Sequence, residues 1–229
     1  MNVSPPRPFA WSWSRLKNWR TCPKRTYHLD IAKDVPEEPS EALVWGKSFH
    51  KMMDDRVTKG VHLPSTMSRH DKYPAILHQM LKDNIDVRVE LQMALTSGLQ
   101  PTEWFGPDTW FRGVIDVMAL DDKYAVIIDW KTGKRVEPEL EQLALFAQLA
   151  FSHTDLSTVH TAYHWTQHGE NTIKTYTRAD MVGLWSRLLP EVKKMEDAAI
   201  TLNYPPKPGY LCKAYCPVKS CQFHGKPFR

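Results

Sequence analysis

Apolar residues recur along this chain with two different periods, and the places where the period changes divide it into elements. From Ser12 or Ser14 as cap the pattern predicts a first helix running to Cys22–Pro23. A second is predicted from Ser40, where Leu43, Gly46, His50, Met53 and Val57 recur at steps of three and four and so share one face. Residues 73–85 also read as helical. Then the period shortens. Val87, Val89 and Leu91 alternate with Arg88, Glu90 and Gln92, a strand pattern. Trp110 to Ala119 and Tyr124 to Trp130 are β-branched, apolar runs joined by Asp121–Asp122, which predicts a hairpin. Glu139 to Ser152 reads as an amphipathic helix, Thr158 to Thr166 and Thr172 to Tyr176 as strands. Ala179 to Leu202 reads as a long helix interrupted or kinked near Pro190. Helices, three strands, a helix, two strands and a final helix describe an α/β fold with a central mixed sheet flanked by helices. Prolines cluster at 5–8, 36–39 and 205–208, between elements.

Length changes this picture little: 229 residues suit a single domain, 1–229. Charge changes it more. Residues 1–29 carry six basic groups (Arg7, Arg15, Lys17, Arg20, Lys24, Arg25) and no acid, and residues 205–229 carry five (Lys207, Lys213, Lys219, Lys226, Arg229) and no acid. The middle holds all 26 acidic residues against 19 basic ones. The four cysteines, Cys22, Cys212, Cys216 and Cys221, fall in the same two basic segments. If the cysteines meet, the basic segments meet with them as a subdomain, and the result is a surface suited to a phosphate backbone. Two solvated tails explain the charge equally well. No apolar run approaches bilayer length, and the N-terminal residues lack the basic-then-apolar order of a secretion signal, so the expected location is the cytoplasm with no membrane partner. Four cysteines there point to metal binding rather than disulfides.

The chemistry centres on the segment FRGVIDVMALDDKYAVIIDWKTG. Asp116 is read as closing one strand. Asp129 and Lys131 are two apart on the next, so they project from one face. Two carboxylates and an ammonium at one sheet edge suit a hard divalent cation with a charge-stabilising or water-orienting group beside it. Taken alone, D-x-K is a common triplet at an ordinary strand end, and a histidine such as His50 is more often a core residue than a ligand.

The wider order of motifs resembles the RecB-like branch of the PD-(D/E)xK nuclease superfamily, close to the iron–sulfur CRISPR-associated exonucleases and the AddB nuclease domain. The resemblance runs through Ser12–Leu16 leading to Cys22–Pro23 with Tyr27 after it, Gly46 and His50, Glu90, Gly113–Asp116, Asp129–Gly133, Gln142, and the trio Cys212, Cys216 and Cys221. It implies that His50, Asp116, Asp129 and the main-chain carbonyl of Trp130 hold catalytic Mg2+ or Mn2+. It implies that Lys131 orients the attacking water or steadies transition-state charge, that Glu90 is a peripheral acidic group, with Glu103 a competitor, and that Gln142 holds substrate or the lysine. Phe146 stands where the family has tyrosine and is read as packing.

Four thiolates suit [4Fe–4S] or zinc. The resemblance favours the iron–sulfur cluster. The spacing here, C-x3-C-x4-C, shifts the middle cysteine by one from the family's usual C-x2-C-x5-C, which leaves zinc open with His224 as an extra ligand. The cluster is expected to be structural.

The implied activity is a metal-dependent DNA exonuclease acting from ends of single-stranded or unwound DNA. Recombination, repair, phage DNA processing and CRISPR spacer acquisition are all compatible, with protein partners from those systems. Phe9, Trp11, Trp13 and Trp19, interleaved with Arg7, Arg15, Lys17 and Arg20, are candidates for single-strand contact, with packing of the first helix as the other reading. Two alternatives stay open: a non-catalytic iron–sulfur subunit that binds DNA ends, and a zinc-stapled structure-specific endonuclease.

Overall fold

Serines start the first two long helices. Ser12 caps α1 (Trp13–Thr21) by accepting the Arg15 N–H, and Ser40 caps α3 (Glu41–Lys59) by accepting the Leu43 N–H. Helix α3 ends at Gly60, whose φ of 70° is left-handed, and a Cβ there would lie 2.6 Å from His78 Nε2. The structure, a computed structural model, describes residues 9–36, 40–134 and 136–227. Arg7 and Arg229 of the two basic segments lie outside them.

The remaining elements are α2 (Pro23–Thr26), a π-helical turn (Tyr27–Ala32), a 3-10 turn (Ser65–His70), α4 (Lys72–Lys82), β1 (Asp86–Leu95), β2 (Pro101–Thr102), β3 (Phe111–Leu120), β4 (Tyr124–Lys131), α5 (Leu140–His153), β5 (Thr158–Trp165), β6 (Glu170–Thr177) and α6 (Asp180–Thr201). The strands form one mixed sheet in the order β2-β1-β3-β4-β5-β6. Only β4 and β5 run parallel, and α5 makes the crossover between them, as a parallel connection requires. The rest of the sheet is antiparallel. The hairpin at Asp121 is closed by its N–H bonding to the Tyr124 carbonyl. This is the α/β architecture expected from the sequence pattern.

The chain divides into two compact units, Met1–Glu38 with Ser186–Arg229, and Pro39–Trp185. The second unit contains the sheet. One of its cores is built from Phe49, Met53 and Val57 of α3, Leu77 of α4, and Val87, Val117, Ala119 and Trp130 of the strands. Phe49, Met53 and Val57 are fully buried at successive turns, so truncating Phe49 or Met53 to alanine costs about 2–5 kcal/mol.

Three local expectations change. Asp116 lies within β3 rather than at its end. Helix α5 is buried at every position from Leu143 to Phe151, so it is a core helix and not an amphipathic one. Helix α6 is not interrupted at Pro190 but runs unbroken from Asp180 to Thr201. Proline there removes the N–H that would bond the carbonyl four residues back.

Candidate functional site

The second unit's sheet is not faced uniformly. On β4, Trp130 joins the core of α3 and α4, whereas the adjacent Lys131 reaches Gln142 of α5. Neighbours on a strand point to opposite faces, so α3 and α5 cover opposite sides. On β3 a Cβ at Gly113 would lie 2.5 Å from Leu149 of α5, yet Val117 packs with the α3 core. Residues four apart on a regular strand share a face. The faces of β3 therefore exchange between them, and Asp116 sits at the exchange.

Its neighbour on β1 shows the cause. The β1–β3 register is unbroken from Asp86↔Leu120 to Leu95↔Phe111, except that Glu90 and Asp116 are not paired. Glu90 has a φ of 46°. A left-handed glutamate is strained by roughly 1–3 kcal/mol and persists only where its surroundings hold it. On the other side, β3–β4 pairing begins at Val117↔Ile128, so Asp116 and Asp129 lie where the strands separate. The Trp130 N–H, left without a ladder partner there, donates to Asp116 Oδ2 at 2.7 Å.

Three side chains converge at this seam. His50 Nδ1, on α3, lies 3.5 Å from Asp116 Oδ2 and 3.9 Å from Glu90 Oε1. One ligand atom from each of His50, Glu90 and Asp116 falls within 4.8 Å of the others, and this is the one such group of three among the described residues. Burial lowers the tendency of His50 to protonate, but its bond to Asp116 and the charges of Asp116, Asp129 and Glu90 outweigh that and raise its pKa. Glu90 is raised by burial and by Asp116. Mutually repelling carboxylates beside an imidazole fit a divalent cation, which would take their lone pairs and offset their charge.

Asp129 is 5% exposed and its pKa is pushed up to about 7, by burial first and then by Asp116, with Lys131 pulling the other way. Lys131 Nζ lies 2.7 Å from Asp129 Oδ2 and donates to Gln142 Oε1 at 3.1 Å. The projection of Asp129 and Lys131 from one face of β4 places both on the α5 side. Trp130 contributes its peptide to the seam and buries its ring in the α3 core.

One residue at the site carries no motif. Tyr163 of β5 is fully buried, and its ring lies 4.6 Å from Lys131 Nζ. Its hydroxyl is 2.9 Å from both the Gln142 Oε1 and the Glu139 carbonyl. Burial holds its phenol far above the usual range, so it stays protonated and donates. The available signal was alternation: Val159, Thr161, Tyr163 and Trp165 are the inward positions of β5. Phe146 is buried and lies 3.8 Å from the Cβ position of Gly113, a packing residue.

The first unit holds the cysteines. Cys22, Cys212, Cys216 and Cys221 all line one cavity of about 310 Å3, together with Arg20, Lys24, Arg25 and Lys207, and His224 does not line it. The Lys207 N–H points to Cys22 Sγ at 3.3 Å and the Gly209 N–H to Cys212 Sγ at 3.4 Å. No three of the sulfurs lie within 4.8 Å of one another. In the same unit, Trp11 and Trp13 are buried, 1% and 9% exposed, so their rings are not open to stack on bases. Trp19 sets its edge against Tyr204. Glu103, the competitor of Glu90, is an exposed loop residue outside the group.

No helix among the described residues is long and apolar enough to cross a membrane. Among solved structures the chain is similar to the crystal structure of SSO0001, at 16% identity over 94% of this chain and 86% of that one, with a TM-score of 0.42. It is also similar to an alkaline exonuclease, LHK-Exo, from Laribacter hongkongensis, at 12% identity over 86% and 96% of the two chains, TM-score 0.30. The complex of LHK-Exo with dAMP gives 11%, 85%, 95% and 0.29. No curated protein matches the sequence. The family model of the PD-(D/E)XK nuclease superfamily matches residues 10–221, from before the first helix to the last cysteine, and the chain belongs to that superfamily.

Proposed function

We propose that this chain is a metal-dependent DNA exonuclease of the RecB-like branch, acting on ends of single-stranded or unwound DNA. The observation that carries the reading is the convergence of His50, Glu90 and Asp116 at the strand seam, with Lys131 held two residues beyond Trp130's neighbour Asp129. Their donor set fits Mg2+ or Mn2+, and the imidazole tilts it toward Mn2+. His50, Glu90 and Asp116 would hold the ion, with Asp129 and the Trp130 carbonyl as further oxygen donors. Bound there, the ion supplies a Lewis acid for the scissile phosphate and lowers the pKa of its water.

The chain's own groups do the rest. Lys131, kept in place by Asp129 and Gln142, presents an ammonium to the charge that develops on the phosphate. Gln142 orients the lysine, and Tyr163 orients Gln142. Intact acids and lysine argue against a purely structural DNA-binding subunit. Recombination, repair, phage DNA processing and CRISPR adaptation remain the compatible settings.

Within the same proposal, the four cysteines hold a [4Fe–4S] cluster in the first unit. Sulfurs around a single zinc at about 2.3 Å would lie roughly 3.8 Å apart. No three of the sulfurs fall within 4.8 Å of one another, and the main-chain N–H groups aimed at Cys22 and Cys212 are of the kind that tune iron–sulfur sites. Protein isolated without oxygen should carry iron and acid-labile sulfide in equal amounts, and stoichiometric zinc instead would remove this part of the reading.

The test of activity is end-labelled linear single-stranded DNA with Mn2+, run beside Lys131→Ala and a circular single strand. Wild type should degrade the linear strand and spare the circle, and the variant should degrade neither. Cleavage that survives in the variant would place the chemistry elsewhere, and cleavage of the circle would make the enzyme an endonuclease.

A further inference from the structure

The loop between β2 and β3 presents two aromatic rings that the core does not use. Phe105 is 81% exposed, and Trp104, half-buried beside it, meets it edge-on with ring centroids 6.4 Å apart. The guanidinium of Arg112, on β3, lies 5.0 Å from the Phe105 ring and 5.6 Å from the Trp104 ring. The loop is fixed from several directions. Thr102 donates to Asp108 at 2.7 Å, Thr109 donates to the Glu103 carbonyl at 2.7 Å, and the Trp110 N–H bonds the Leu95 carbonyl. A Cβ at Gly106 would lie 2.9 Å from Thr102 Oγ1. An exposed phenylalanine costs solvation, and here it is held in a rigid turn rather than folded inward.

Its placement relates it to the seam. Arg112, Val114 and Asp116 are alternate residues of β3; Ala94 and Gln92 pair with the first two on β1, and Glu90 lies at the unpaired step beside Asp116. Gly113 points to α5, so Arg112 and Val114 point away from it. Val114 and Gln92 are exposed. Four residues of strand span roughly 13 Å, the reach of roughly two to four nucleotides of single strand. Val114 and Gln92 thus form an exposed step between the carboxylates and a partly exposed guanidinium flanked by aromatic faces, with Ala94 buried beside it.

We infer that Trp104, Phe105 and Arg112 form a nucleobase-stacking platform that binds single-stranded DNA a few nucleotides from the bond being cut. This rests on the nuclease reading above. Aromatic faces supply stacking that tolerates any base, and the Arg112 guanidinium packs against both rings as a cation–π partner. The site would take the unpaired part of the substrate and set how many nucleotides are engaged when the terminal phosphodiester reaches Asp116.

The test is binding of fluorescent oligothymidylates of graded length to the full chain in EDTA, so that no cleavage intervenes. Affinity of wild type should step up at the length that spans from the seam to the platform. Phe105→Ala and Phe105→Leu should lose that step, with about a tenfold drop for the longer oligomers, and Phe105→Tyr should keep it. Circular dichroism checks that each variant is folded; the loop position makes a folding failure of Phe105→Leu unexpected. A length profile in Phe105→Ala and Phe105→Leu identical to wild type would overturn the platform. So would an equal loss of affinity for blunt duplex, or a loss in Phe105→Tyr as large as in Phe105→Leu. The assay is independent of turnover: if wild type shows the step but cuts no DNA with Mn2+, the catalytic reading fails and the platform stands.

Discussion

Lys131 Nζ lies 4.6 Å from the ring of Tyr163, and both residues reach the same atom, the Oε1 of Gln142. The tyrosine ring faces the ammonium while its hydroxyl fixes the amide that the ammonium donates to. Tyr163→Phe keeps the ring and removes the fixing hydrogen bond. It should lower kcat by about tenfold, in line with roughly 1–1.5 kcal/mol for one such bond, and leave KM for DNA near the wild-type value. Tyr163→Ala, which also removes the ring, should lower kcat further. Steady-state kinetics on a linear oligonucleotide separates these outcomes, and a change in KM alone would show that Tyr163 serves binding instead.

Asp129 illustrates a cost of the site. A carboxyl whose folded pKa is raised to about 7 is disfavoured as a charge in the fold. The chain therefore gives up stability as pH rises from the unfolded carboxylate range toward that value. Asp129→Asn should abolish cleavage and raise the melting temperature of the metal-free protein at pH 8 by several degrees, at roughly 2–4 °C per kcal/mol. A melting temperature below wild type would mean that the Lys131 ion pair outweighs the burial.

Mn2+ should stabilise the folded chain by mass action, about 2.7 kcal/mol at a hundredfold excess over Kd. The melting temperature of wild type should rise with added Mn2+, at lower concentrations than with Mg2+. His50→Ala, Glu90→Gln and Asp116→Asn should each flatten that titration. Equal response of Asp116→Asn and wild type, followed by differential scanning fluorimetry, would locate the ion somewhere else.

The first unit has its own acid-sensitive tie. Arg20 makes a two-pronged pair with Glu191, with bonds of 2.8 Å from Nε and Nη2, and the Arg20 guanidinium holds the Glu191 carboxyl below its ordinary value of 4.5. A depressed carboxylate stabilises the fold above its unfolded pKa and loses that contribution as pH falls through the folded one. Both side chains are about a third exposed, so the term is roughly 0.5–1 kcal/mol. Glu191→Gln should cost that much at pH 7 and nothing near pH 2, measured by urea unfolding.

Much of this was legible in the sequence because it is local. Ser12 and Ser40 act as caps through bonds to residues three positions on. Asp121–Asp122 turns a hairpin, and the two-residue spacing of Asp129 and Lys131 fixes their common face. What could not be read is set by pairing between distant segments. Nothing in the residues around Glu90 announces a left-handed backbone, which comes from the exchange of faces shared with β3. Tyr163 is 21 residues from Gln142 and enters the site only because β5 lies parallel beside β4. The all-round burial of α5 depends on what surrounds it, and a strand as short as β2 has no period to detect. Trp11 and Trp13 show the converse: interleaving with basic residues resembled a stacking surface, whereas the fold buries both rings and exposes Phe105 instead.

The cavity lined by Cys22 and by Cys212, Cys216 and Cys221 also orders events during synthesis. A ribosome releases Cys22 first and must add some 190 residues, the whole sheet-bearing unit among them, before Cys212 emerges. That unit can therefore finish folding while the first unit still lacks three of its four sulfurs. The four-thiolate site proposed above would therefore be complete only once the late segment has emerged, after the sheet-bearing unit.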